Sequence, residues 1–161
     1  MSHYRSMAER ALDQRGVHYE VFEYSPDVRS AEGMAAAIGR PADEVYKTLV
    51  AFRSDRSRPM LVMIPGDREL APRRLAAALG AKKVHLATQR EAEELTGLEK
   101  GGISALALLG RPFDVLLDAS ARGLDRIVVS AGRKGLSLSV SVADLVCVTG
   151  AVFVDAAESV G

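Results

Sequence analysis

Cysteine, histidine and net charge are all scarce in this 161-residue chain. The single cysteine, Cys147, excludes an internal disulfide. Its apolar surroundings, Val142 to Val148, predict a buried core thiol. The histidines are His3, His18 and His85, and none has a His, Cys or carboxylate partner at metal-ligand spacing. No metal and no cofactor are therefore expected. Lys plus Arg number 21 and Asp plus Glu number 21, a formal net charge of zero. That argues against holding nucleic acid by bulk electrostatics, where affinity comes from neutralising many phosphates. It leaves room for a local patch that recognises a nucleic-acid end. No apolar run approaches the ~20 residues that span a bilayer, and Met1 to Arg15 lacks the apolar core of a signal peptide. The expectation is a cytoplasmic protein with no membrane partner. The sequence also holds no GxSxG elbow, no phosphate-binding G-x-x-x-x-G-K-[ST] loop and no GxGxxG fingerprint.

What is present reads as one α/β (α+β) domain over residues 1–161, with a mixed β-sheet core flanked by helices. Hydrophobic residues make up 48% and charged residues 26%, ordinary values for a globular core and surface. Met7, Ala8, Ala11 and Leu12 recur at helical spacing and Gly16 suits the helix end. His18 to Tyr24 alternates as a strand. Ser30 is a good N-cap for a helix running to about Gly39. Tyr46 to Arg53 and Met60 to Ile64 read as strands joined by a polar turn, Ser54 to Pro59. Pro72 opens a helix that Gly80 closes, and Lys83 to Leu86 is a short strand. Thr88 and Glu91 form a capping box for a helix ended by Gly97. Phe113 to Leu117, Arg126 to Ser130 and the alternating Leu136 to Ser141 are strands. Ser141 and Asp144 are taken as a second capping box, for a helix that Gly150 ends, and Ala151 to Val154 as a last strand.

Three features carry candidate chemistry. Lys47 lies in a strand whose two faces, Lys47, Leu49, Ala51 and Tyr46, Thr48, Val50, Phe52, are both largely apolar. A lysine there is costly unless its ammonium reaches water or an anion. It either snorkels to solvent from the strand's end or points into a cleft. Gly101-Gly102-Ile103-Ser104 either bends the chain or presents backbone N–H groups to an anion. Ser130-Ala131-Gly132-Arg133-Lys134-Gly135 either makes a solvated hairpin turn or lays a basic loop beside a phosphate.

These features, in this order, resemble the YbaK/EbsC family of aminoacyl-tRNA deacylases, relatives of the editing domain of bacterial prolyl-tRNA synthetases. The matching stretches are Tyr-Glu-Val-Phe-Glu-Tyr at 19–24, Val-Tyr-Lys-Thr-Leu-Val at 45–50, Leu75 to Val84, Thr96-Gly97, Gly101 to Ser104 and Ser130 to Leu136. Together they run from about residue 5 to 155. The resemblance implies a metal-independent hydrolase that removes a wrong amino acid from tRNA, most often cysteine from tRNA for proline. It places Lys47, Gly101, Gly102 and Ile103 at the reacting ester. Tyr24, Ser30, Ser104, Ser130, Gly132, Arg133 and Ser137 fall on the substrate side. The partner implied is the 3′ acceptor end of an aminoacyl-tRNA. With zero net charge, help from a synthetase, the prolyl enzyme first, is expected in presenting it. Two departures stand out: Ala105 follows Ser104 where the usual family loop has proline, and Ser137 stands where the cysteine-specific members usually carry an acidic residue. They keep two other readings open: the same reaction on alanine, serine or a similar amino acid, or a non-catalytic tRNA-end-binding module.

Overall fold

The computed structural model describes residues 4–28 and 30–160. The chain opens with α1 (Met7–Gln14), whose N-cap Ser6 and Glu9 exchange side chain–backbone bonds in a capping box. Then come β1 (Tyr19–Glu23), α2 (Ala31–Ile38), β2 (Tyr46–Arg53), β3 (Met60–Pro65) and β4 (Arg68–Leu70). α3 (Pro72–Leu79), β5 (Val84–Leu86), α4 (Gln89–Thr96) and β6 (Asp114–Asp118) follow. The last third holds β7 (Arg126–Arg133), β8 (Leu136–Ser141), α5 (Val142–Thr149), β9 (Val152–Val154) and β10 (Ala157–Ser159). α2, α3, α4 and α5 each stop at a glycine in the left-handed conformation, as their sequences predict.

The central sheet runs β5-β2-β3-β6-β9. β2 is antiparallel to β3 and β5, while β6 is parallel to β3 and β9, so the sheet is mixed as expected. β3 is buried along its whole length, the mark of a strand covered on both faces. On one face Tyr46, Val50, Leu61, Met63 and Leu117 join a core built with α1, the 103–108 segment, β7, β8 and α5. On the other, Ala51, Met60, Val62, Ile64 and Leu116 pack against Leu75 and Ala76 of α3. A second sheet, β1-β8-β7, is wholly antiparallel and touches the first through a parallel bridge between Val45 and Val128.

Three details depart from expectation. Cys147 is exposed, not buried. α5 turns Val142 and Leu145 inward, and two residues beyond Leu145 the helix has rotated by roughly 200° to solvent. Ser141 accepts the Asp144 amide at 3.0 Å, but no reciprocal bond closes a box there. β4 and β10, three residues each, pair with one another and carry no alternation long enough to read.

Their short sheet depends on Asp118, the buried last residue of β6. Its Oδ1 accepts the amides of Ala156 at 2.9 Å and Ala157 at 3.0 Å, and its Oδ2 accepts Ser120 N–H at 3.2 Å. Asp118→Ala leaves the Ala156 and Ala157 amides buried without this acceptor, and is expected to cost about 2–4 kcal/mol of unfolding free energy. Asp118→Asn, which keeps one acceptor oxygen, is expected to cost less. Denaturant titration of both variants checks the order; equal stability of all three proteins would refute it.

Candidate functional site

β2 is paired along one side by β3, but β5 covers its other side only from Ala51 to Arg53. The last bond on that side is from Ala87 N–H to the Val50 carbonyl, at 2.9 Å. Toward its N-terminus β2 therefore borders a cleft of about 320 Å³. Tyr24, Ser30, Lys47, Thr48, Gly101, Ile103 and Ser130 all line it.

Lys47 enters the cleft from β2 half-buried. Its Nζ donates to the Gly66 carbonyl at 3.4 Å, in the turn just after β3. Gly66 is itself held to the residue just before β2 by donating its N–H to Val45 O at 2.7 Å. A Cβ at Gly66 would run into the side chain of Ala31, so glycine lets α2 close the cleft wall. Burial pulls the Lys47 pKa down, and the carboxylates of Glu69, Glu32 and Asp67 push it back up.

The glycine loop is pressed against the β7–β8 hairpin. A Cβ on Gly102 would sit 2.9 Å from Arg133 Cα, and the Gly102 N–H is spent on Glu99 O at 2.8 Å. Gly101 has φ +87°, and its carbonyl accepts Ser130 Oγ–H at 3.4 Å. The same Ser130 Oγ accepts Gly132 N–H at 3.4 Å, where the β7 register shifts between Ser130 and Arg133. The amides of Gly101 and Ile103 have no acceptor among the described residues.

Tyr24 is fixed twice from the same hairpin. Its backbone N–H donates to Gly135 O at 3.0 Å, and its phenol shares a 3.1 Å hydrogen bond with Ser137 Oγ. Ser137 is fully buried.

The structure thus brings Lys47, Gly101, Ile103, Tyr24, Ser30 and Ser130 to one cleft. The remaining candidates stand elsewhere. Gly102 and Ser137 lie behind the wall, as spacer and as support for Tyr24. Ser104 is buried and its Oγ accepts Ala107 N–H at 3.2 Å, within its own turn. Gly132 and Arg133 face a separate groove with Tyr4, Arg5 and Arg10. Ser30 keeps its N-cap bond from Gly33 N–H at 2.9 Å. One residue was not singled out from the sequence: Thr48, whose hydroxyl is buried without a hydrogen-bond partner among the described residues. Its signal lay in the strand alternation, as a polar residue on an apolar face. His85 packs on Phe52, and His3 lies outside the described residues. Among the described residues no three His, Cys, Asp or Glu side chains converge on a metal-sized site, and no helix is long and apolar enough to cross a membrane.

Chemically, the cleft is lined by two cations, Lys47 and Lys100, by a set of hydroxyls, and by Gly101 and Ile103 with their unpaired amides. Its one lining carboxylate, Glu93, is occupied by the Lys100 amide at 2.9 Å. Such a set suits an oxyanion and a hydroxyl-rich ligand better than proton abstraction by a protein base.

The model of the aminoacyl-tRNA editing domain family matches residues 25–147. EbsC of Enterococcus faecalis (strain ATCC 700802 / V583), which carries the name of a Cys-tRNA(Pro)/Cys-tRNA(Cys) deacylase, is 31% identical over 153 residues. That alignment covers 94% of this chain and 92% of EbsC. Proline–tRNA ligase of Staphylococcus aureus (strain Newman) is 29% identical over 114 residues, 71% of this chain but 19% of the ligase. A solved structure described as a trans-editing enzyme for prolyl tRNA synthetase superposes with TM-score 0.81 at 25% identity, over 98% of this chain and 100% of the other. The structure of hypothetical protein APE2540 gives TM-score 0.85 at 28% identity, over 94% and 99%.

The close approach at Gly102 sets an expected outcome. Gly102→Ala forces the loop off the Arg133 backbone and is expected to cost about 1–3 kcal/mol. It also loosens Gly101 and Ile103, read as faster amide hydrogen exchange there. Gly123→Ala, with nothing within 4 Å of the added methyl, is the matched control. Unchanged exchange and stability in Gly102→Ala would show that the contact does not hold the loop.

Proposed function

Because this chain belongs to the aminoacyl-tRNA editing domain family, we propose that it is a trans-editing hydrolase of mischarged aminoacyl-tRNA. The first substrate to test is cysteinyl-tRNA for proline, the activity in the name of EbsC. The observation that carries the reading is that Lys47 lines one cleft with Gly101 and Ile103, whose amides have no acceptor among the described residues.

In the proposed reaction the 3′ end of the tRNA lies along the cleft, with Lys47 at the terminal phosphate or ribose oxygens. Water adds to the ester carbonyl, and the Gly101 and Ile103 amides receive the oxyanion. Losing one such donor costs ~3 kcal/mol where it has been measured. The intermediate then collapses, the ribose oxygen leaves and takes up a proton, and the free amino acid departs. Gly102 acts as spacer, not donor, because its amide already serves Glu99. Tyr24, Ser130 and Ser30 contact the substrate. Ser137 acts through Tyr24, and Ser104 through its own turn. Gly132 and Arg133, in the separate groove, contact the acceptor arm. The steps use protein groups and water alone, so the proposal is of a metal-independent enzyme working in the cytoplasm. A zero net charge fits presentation of the tRNA by a partner, the prolyl synthetase first.

Lys47→Ala is expected to stay within about 1 kcal/mol of the parent in stability, since it removes a half-buried cation rather than core packing. It is expected to cut single-turnover deacylation roughly 100-fold or more. The parent rate depends on a protonated Lys47. It should therefore fall as pH rises through a pKa that burial holds below the ordinary lysine value. A folded Lys47→Ala with a near-parental rate would remove Lys47 from the site. A panel of aminoacyl-tRNAs left intact by the parent would favour the non-catalytic tRNA-end-binding reading instead.

A further inference from the structure

Thr48 stands out because its Oγ1 is buried and lacks any hydrogen-bond partner among the described residues. Buried hydroxyls are ordinarily paired, so an orphan calls for a ligand or a strain account. Thr48 borders the cleft, next in sequence to Lys47 but on the opposite face of β2. Its own face carries Tyr46 and Val50 and runs into the core that includes Ala92 and Ile103. The Tyr46 hydroxyl is already taken, at 2.7 Å, by Ser120 Oγ. Thr48 is therefore the uncommitted hydroxyl on an otherwise apolar wall. Rotation about χ1 exchanges its hydroxyl and methyl within nearly the same volume, so the oxygen can turn to a ligand without displacing a neighbour.

We infer that Thr48 is a specificity-determining residue that hydrogen-bonds the side-chain hydroxyl or thiol of the amino acid being removed. The inference rests on the deacylase reading above. With Lys47 at the nucleotide end, the opposite strand face meets the acyl end, and there the polar feature is Thr48. Apolar walls discriminate weakly between small amino acids. A wall built to pair a hydroxyl rejects an analogue that lacks it far more strongly. The class selected is therefore a small amino acid bearing a hydroxyl or thiol, seryl or cysteinyl, over alanyl.

The test measures kcat/KM on seryl-, cysteinyl- and alanyl-tRNA for proline, with the parent, Thr48→Val and Thr48→Ser. The parent should favour seryl or cysteinyl over alanyl. Thr48→Val, isosteric but without the oxygen, should lower that ratio at least tenfold while melting no lower than the parent. Thr48→Ser should restore the ratio. An equal loss on all three substrates would place Thr48 at a group common to every aminoacyl ester and overturn the inference. So would an unchanged ratio, or a parent preference for alanyl-tRNA. If the parent hydrolyses none of the three, the deacylase reading itself falls and takes this one with it.

Discussion

One strand carries unequal pairing, and the site follows from it. β2 is backed by β3 along most of its length, yet β5 meets it only over its last three residues. Had β5 continued, it would have filled the space where the cleft lies and hidden the Tyr46–Val50 border. Instead α4 leads the chain away to the glycine loop, and β7 approaches from the other sheet. The cleft is thus the gap where two sheets part, with β2 rigid beneath it because its neighbour β3 is buried on both faces. Side chains on such a strand hold their positions better than side chains on a loop.

The electrostatics match that geometry. A lysine is expensive in a sheet, and burial does pull Lys47 toward neutrality. Three carboxylates, on α2 and around the β3–β4 turn, oppose the shift from a distance without forming an ion pair. The ammonium is left with a single long bond to a carbonyl. A cation held this way remains available to an anionic ligand, whereas a direct salt bridge would have to be broken first. A local charge of this kind is compatible with a chain whose net charge is zero.

Much of this was legible in the sequence wherever the signal was local. Glycine helix ends, the Thr88–Glu91 box and the 46–53 strand depend on residues a few positions apart, and each appears as read. β4 and β10 do not announce themselves, because each is three residues long and its partner lies almost ninety positions away. Lys47 was legible because a charge in an apolar strand violates a local rule. The buried, supporting positions of Gly102, Ser104 and Ser137 were not, since only tertiary packing reveals which polar residues turn away from a cleft. Thr48 went unremarked for a related reason: threonine is common in strands, and only the structure shows its hydroxyl to be unpaired.

Ser137 shows how a change behind the wall can act at the cleft. Where the resemblance leads one to expect the acidic residue usual in cysteine-specific members, this chain has a buried serine bonded to the Tyr24 phenol. A carboxylate in this place could only accept a hydrogen bond from the phenol, and burying it would need further donors to offset its desolvation. A serine hydroxyl can donate or accept. The Tyr24 oxygen therefore keeps both options, acceptor when Ser137 donates to it and donor when it does not. The Tyr24 ring stays in place either way, because its backbone is tied to Gly135. The substitution thus leaves the shape of the cleft alone. It changes the hydrogen-bonding character of one group on its wall.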